Sequence, residues 1–484
     1  MKKESKRERI RFGAALAVCA LVFGLTACGG AGQKTASGEP VTITLWHYYN
    51  DAQKDGLDEI VAEYNDTVGK EKKITVNAVG LGSVEDITTK VDAVLNGSQE
   101  NIEKPNMFLA YRDMLQEVMR GDNASSAELL DFRDYFTAEE LDRYYPDFLE
   151  EGEFGESLYI MPVAKSTELL FMNQTMLDMF FEAHPEYSAK DLETWESMAE
   201  MAETFYEWTD ETTPDVPDDG KALMGLDNFS NYFIAQNNAL GSDIYETDED
   251  GGVTFRLEKD DIKKLFENYY IPYTKGYYGG KEKYRSDDMR QDNLYGYVGS
   301  VASVAYFPHT VYGEDGGEQE IAMGIYPYPY FEGENKAAIQ QGAGIAALSS
   351  SEAENQAVAD FIKWVSGEKG IDYAAMLSYM PTSRESVEAA DWNVIEDENL
   401  REAVTIGMEQ VKNYEMVRGF DFEGAYEVRM NLEDCFKEAV LSGREEYLGY
   451  LASGMTAEEA EEAMRYDERS TAFYEKILDL FGQK

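Results

Sequence analysis

Val41-Thr-Ile-Thr-Leu-Trp46 is a β-branched, alternating run and reads as a strand. Behind it, Leu57, Ile60, Val61 and Tyr64 recur at helical spacing across residues 55–64. Ile74-Thr-Val-Asn-Ala-Val79 makes a second strand and Asn106-Met-Phe-Leu109 a third. Between these two, Ser83 is placed to cap a helix running through Leu95, with Asp86 three residues on. The order β-α-β-α-β is that of an α/β sheet whose strands are joined by helical crossovers.

Further along the chain, Leu158-Tyr-Ile-Met-Pro162 and Glu168-Leu-Leu-Phe-Met172 read as strands, and residues 176–183 and 195–208 as helices. Residues 210–220 (DETTPDVPDDG) are an acidic, Pro-rich surface loop. Asp248-Glu-Asp-Gly-Gly252 turns a hairpin between Ile244-Tyr245 and residues 253–255. Residues 298–306 are strand-like, and Pro327 and Pro329 restrict residues 322–330 to an edge or exit strand. Residues 351–365 form an amphipathic helix, and from Glu398 onward the pattern is almost wholly helical.

The N-terminus carries an address. Six basic residues within positions 2–11 precede an apolar run over residues 12–25, an n-region and h-region of secretory length. The run is short for a membrane span, which needs about 20 residues. It ends in Leu25-Thr-Ala-Cys28, the pattern of a bacterial lipoprotein signal cut before Cys28. Residues 1–27 are therefore expected to be a signal peptide, and Cys28 the acylated N-terminus of a membrane-anchored protein on the extracytoplasmic face. Residues 28–40 are small, polar and Gly-rich, a flexible tether. Without residues 1–27 the basic residues fall from 43 to 37 and the acidic ones from 94 to 92, a charge of −55. So acidic a chain is no nucleic-acid binder. Cys435 is then the one cysteine besides Cys28; its helical pattern makes it a small buried hydrophobe. Three histidines leave little room for a multi-histidine metal centre.

No HExxH, CxxC, Walker A, GxSxG or kinase signature is present. Gly80-Leu-Gly82 lacks the third glycine of a dinucleotide loop, and residues 248–252 lack the closing Glu of a calcium loop. No cofactor is expected. The stronger signal is aromatic residues placed just past strand ends beside polar ones: Trp46-His-Tyr48-Tyr49, Tyr111-Arg-Asp113, Asn228 to Phe233, and Tyr306-Phe-Pro-His309. Open α/β sheets bind ligands beyond the carboxyl ends of their strands. Sugars suit such a place, because a pyranose C–H face stacks on a ring while Asp, Asn and Arg pair with hydroxyls. About 50 Å² of covered ring contributes roughly 1 kcal/mol. Each aromatic taken alone could equally be ordinary core.

Five stretches stand in order: Thr42-Ile-Thr-Leu-Trp46, Tyr159-Ile-Met-Pro162 leading to Leu169-Leu-Phe-Met-Asn173, Gly299-Ser-Val-Ala302 leading to Phe307, Gly342-Ala-Gly344, and Met380-Pro-Thr-Ser-Arg384. Together they resemble the extracellular solute-binding proteins of bacterial ABC importers, family 1, the carbohydrate-binding, maltose-binding-protein-like type. The resemblance implies a two-lobe α/β fold of the type II periplasmic-binding kind, hinged around an interlobe cleft. It implies lobe 1 over residues 41–164 plus 308–385 and lobe 2 over 165–307 plus 386–484. It further implies a monomer that delivers a sugar to ABC permease subunits and is no enzyme. Combined with the aromatic clusters, it makes Trp46, Tyr48, Tyr111, Tyr232 and Phe307 candidate stacking platforms and Phe420 a further candidate ligand-binding residue. Arg112, Asp113, Asn231 and His309 become candidate hydroxyl partners, Arg429 a further candidate ligand-binding residue, and Gly342 a point of close backbone approach or a tight turn. Surface ion pairing competes for Arg112 and Asp113, turn or capping roles for Asn231 and His309. A polyamine- or peptide-binding protein, or a surface carbohydrate-active enzyme, are the alternative functions.

Overall fold

The computed structural model describes residues 39–95, 103–119, 128–212, 219–242, 244–247, 253–312, 317–389 and 392–482. The expected leader, Cys28, nearly all of the tether, the turn at 248–252 and most of the acidic loop lie outside them. Pro40–Lys484 is one compact unit. Among the described residues no helix is long and apolar enough to cross a membrane.

The first sheet uses β1 (Val41–His47), β2 (Ile74–Gly80), β3 (Met107–Ala110) and β4 (Ile160–Met161). β1 runs parallel to both β2 and β3, as the crossover pattern requires. The helix α1 (Asp51–Asp66) and α2 (Val84–Leu95) make the crossovers. Ser83 caps α2 as expected, its Oγ accepting the Asp86 amide at 3.0 Å. Ile43, Leu45, Val76, Phe108 and Phe361 form this lobe's core.

The second sheet is built on β5 (Ala164–Asn173), ten residues buried throughout. Along it Leu170 and Met172 enter one core with Trp195, Tyr232 and Phe436, while Leu169 and Phe171 enter another with Tyr297, Phe307 and Val404. That is the two-residue alternation of a strand buried on both faces. β6 (Gly225–Leu226), β7 (Gly296–Ser300), β8 (Met323–Tyr326) and β9 (Ala337–Gln341) follow. β7, β8 and β9 all pair antiparallel with β5. The chain returns to the first sheet only at β10 (Gly344–Ala347), which lies between β3 and β4. Residues 323–326 and 340–341 thus pair with β5 within the second sheet.

The strand expected over 298–306 stops at Ser300, and Val301–Tyr306 coil into a 3₁₀-helix. Side chains three apart eclipse in such a helix. Val301, Val304 and Phe307 therefore share one buried face, leaving Tyr306 outside it. Helix α3 (Arg112–Met119) follows β3, α4 (Trp195–Asp210) and α5 (Phe229–Ala239) cover the second sheet, and α6 (Glu352–Ser366) covers the first. The C-terminal part holds α7 (Glu398–Asn413), α8 (Ala425–Ala452) and two shorter helices. Cys435 is free and buried.

Candidate functional site

Tyr48 and Tyr111 stand just past the carboxyl ends of the parallel neighbours β1 and β3, so their rings meet. The rings stack with centroids 6.3 Å apart, and the hydroxyls approach to 3.1 Å. Both are half-buried, and burial pushes both phenols above their ordinary pKa. Tyr49 turns inward and bonds Tyr373. Burial raises the phenol of half-buried Tyr379, and the nearby phenols of Tyr111, Tyr373 and Tyr306 add to the rise. Tyr306 is 69% exposed.

The facing wall belongs to the second lobe. Arg429 donates to Asn231 Oδ1 at 2.8 Å and to Ser230 Oγ at 3.3 Å. Asn231 in turn donates to Glu168 Oε1 at 2.6 Å. Burial is the main influence on the Tyr111 phenol and raises it, while the charge of Arg429, on the first turns of α8, is a lesser influence that opposes the rise. Tyr426 and Met430, four residues apart on α8, are 69% and 42% exposed. Glu168 sits on β5 at the point where it enters the second sheet. Its Oε2 has no partner, and burial pushes the carboxyl up to about 8. Burial likewise raises Asp227 and Glu433, which lie beside it.

The structure brings together Tyr48, Tyr111, Asp113, Asn231 and Arg429. Asp113 is half-buried, beside Tyr111, and spends one oxygen on the Met114 amide at 2.8 Å. Three expected platforms and the candidate Phe420 are buried in cores. Trp46 is 6% exposed because it alternates onto the α2 face of β1, beside Lys90, at the floor of a groove of about 610 Å³. Tyr232 is fully buried against Trp195 and Tyr269, its hydroxyl bonding the Leu265 carbonyl at 2.9 Å. Phe307 stacks on Tyr297. Phe420 packs on Phe422 and Phe481. His309 is exposed, and among the described residues no hydrogen bond or ring contact joins it to the tyrosines. Arg112 is taken up by an ion pair with Asp421 and by backbone carbonyls, so its Nε and Nη1 are not open to a ligand.

Gly342 has φ +100°, and its carbonyl accepts from the buried Lys165 Nζ at 2.6 Å. A Cβ there would come within 3.1 Å of the Ala164 carbonyl and 3.3 Å of Tyr379. Its close approach is thus to the crossing strand and to a site tyrosine. Gly342→Ala should destabilise the protein by about 1–3 kcal/mol, read by thermal denaturation. An unchanged melting temperature would refute the strain.

Tyr306, Tyr379 and Glu168, none of them a candidate from the sequence, lie near these groups. Tyr306 was legible as a member of its cluster, one position from the residue chosen. Tyr379 and Glu168 carried no local signal, because strand pairing alone places them. Rings with hydroxyl edges facing planar amide and guanidinium groups can hold a polyhydroxylated ligand on both its apolar faces and its rim. Among the described residues no group of three or more His, Cys, Asp and Glu side chains could hold a metal ion.

The chain is similar in fold to the cyclic α-maltosyl-1,6-maltose binding protein of Arthrobacter globiformis, at TM-score 0.64 and 16% identity over 90% of this chain and 100% of that one. It is also similar to UgpB of Mycobacterium tuberculosis in complex with glycerophosphocholine, at 0.59 and 17% over 87% and 100%. A third is the ABC substrate-binding protein Lmo0181 of Listeria monocytogenes in complex with cycloalternan, at 0.58 and 14% over 92% and 100%. The likeness is one of fold, the two-lobed type II periplasmic-binding arrangement. No curated protein matches the chain. Residues 59–402 match the family of bacterial extracellular solute-binding proteins, well over half of the chain, and to that family it belongs.

Proposed function

We propose that this chain captures a sugar or oligosaccharide between its lobes and delivers it to the permease subunits of an ABC importer. Cys28 tethers it by lipid to the extracytoplasmic face of the cell membrane, and it works as a monomer without catalysing a reaction. The observation that carries this reading is the stacked Tyr48–Tyr111 pair opposite Arg429 and Asn231. It offers ring faces and hydroxyl partners together, at the carboxyl ends of the strands. Sugar ligands of proteins with this fold support it. Several such contacts reach micromolar affinity, about −8 kcal/mol.

One observation favours a second reading. Glu168 lies near Asp227, Glu433 and Arg429, and even with Arg285 beside Asp227 and Lys437 near Glu433 this acidic group would suit a polyamine. A thermal-shift screen separates the two, with malto-oligosaccharides, cyclic glucans and lacto-N-biose set against spermidine and tripeptides. Ligand at 100 times Kd should add about 2.7 kcal/mol of apparent stability. A shift with one glycan class, the glycan being recovered unchanged, is the expected result. A shift with spermidine and none with any glycan would overturn the sugar assignment.

A further inference from the structure

We infer that Arg112 and Asp421 form a clasp that holds the two lobes together before any ligand arrives. The inference rests on reading the space between the lobes as the ligand cleft. Arg112 opens α3, whose Met114 and Leu115 are in the first core. Asp421 lies between Phe420 and Phe422, both in a second-lobe core. The Arg112 Nε to Asp421 Oδ2 distance is 2.7 Å, and the two side chains are 16% and 17% exposed.

Three features separate this pair from an ordinary surface ion pair. Its burial weakens screening by solvent and salt. Arg112 is fixed independently of Asp421, since its Nη1 donates to the carbonyls of Glu151 and Glu153 and its guanidinium lies 4.5 Å from the Phe154 ring. Asp421 is fixed independently of Arg112, since the Tyr245 hydroxyl donates to its Oδ1 and accepts from its amide. Two pre-set partners lose little side-chain freedom on meeting. A second tie runs alongside, from Arg418 to the Glu150 carbonyl at 3.2 Å.

Arg112 also follows Tyr111 directly, so the clasp positions a cleft tyrosine as it joins the lobes. Glu151 links it to the hinge, because its carboxylate pairs with Lys165 on the crossing strand β5. Opening the lobes would part Arg112 from Asp421 and leave each with its own lobe's contacts. The clasp thus favours the closed form in the free protein, and ligand meets a preorganised cleft.

Small-angle X-ray scattering of ligand-free residues 40–484, the compact unit, tests this. The wild type should scatter as the closed structure, with a radius of gyration near the roughly 22 Å of a compact chain of this size. Asp421→Asn keeps the shape and removes the charge. It should lower the closed-to-open ratio on the order of tenfold and raise the radius of gyration. Tyr245→Phe should shift it the same way by less, while Asp421→Glu should restore the wild-type value. If Asp421→Asn loses helical circular dichroism, Tyr245→Phe carries the test. A wild type already open, or a deciding variant that scatters as the wild type does, overturns the clasp. No ligand enters the experiment, so its failure is distinct from a failed sugar assignment, which the thermal-shift screen reads.

Discussion

Replacing Tyr111 by alanine is expected to weaken sugar binding by roughly 30-fold, measured by titration calorimetry with the glycan that the screen identifies. The residue offers a half-buried ring stacked on Tyr48 at the carboxyl end of β3. Losing about 50 Å² of ring contact costs about 1 kcal/mol. Losing the stack that holds Tyr48 in place costs about another 1 kcal/mol. Tyr111→Phe keeps the ring and gives up only the 3.1 Å hydroxyl contact, so its loss should be several-fold smaller. Phe307→Leu is the contrast. Phe307 is 3% exposed, so this change should cost stability of about 1 kcal/mol and leave affinity as it was. If Tyr111→Ala binds as tightly as the wild type, the tyrosine pair is not the platform.

The second large effect concerns pH. Glu168 is buried, and its carboxyl is raised to about 8 from an ordinary 4.5. Between those values the native protein keeps a proton that the unfolded chain has released. Stability from this group is therefore full below about pH 4.5 and is lost as pH rises towards 8. The loss reaches on the order of 5 kcal/mol. Glu168→Gln is neutral at every pH and still offers an oxygen to the Asn231 amide, 2.6 Å from the carboxyl in the native protein. Thermal melts should show the variant and wild type level near pH 4.5 and the variant increasingly the more stable towards pH 8. Parallel profiles would mean that Glu168 is ionised in the native protein.

Much of the fold was legible because it is local. The β-branched alternation of residues 41–46 and the helical spacing of 55–64 each depend on a few neighbours, and both elements form where expected. The 3₁₀-helix after Ser300 was not legible, because Val301 and Val304 satisfy a strand pattern as well as a three-residue one. The site was half legible. Of the residues that the structure groups, Tyr48, Tyr111 and Asp113 follow strand ends, a position that could be read from the chain. The side of the backbone could not. Trp46 alternates onto the helix-covered face, and Phe307 onto the face shared with Val304.

The amino-acid sequence by itself determined the α/β class, the order of the early elements, the acidic charge and the solute-binding family. These follow from composition, periodicity and motifs carried in short segments. Tertiary structure alone decided which polar and aromatic groups share the cleft. Glu168 and Asn231 are 63 residues apart, Asn231 and Arg429 are 198 apart, and Arg112 and Asp421 are 309 apart. The meeting of such groups is set by the pairing of β5 with strands on either side of it and by the packing of α8 across α5. Those contacts form only when distant segments bury their apolar faces together, and no local pattern encodes the partner.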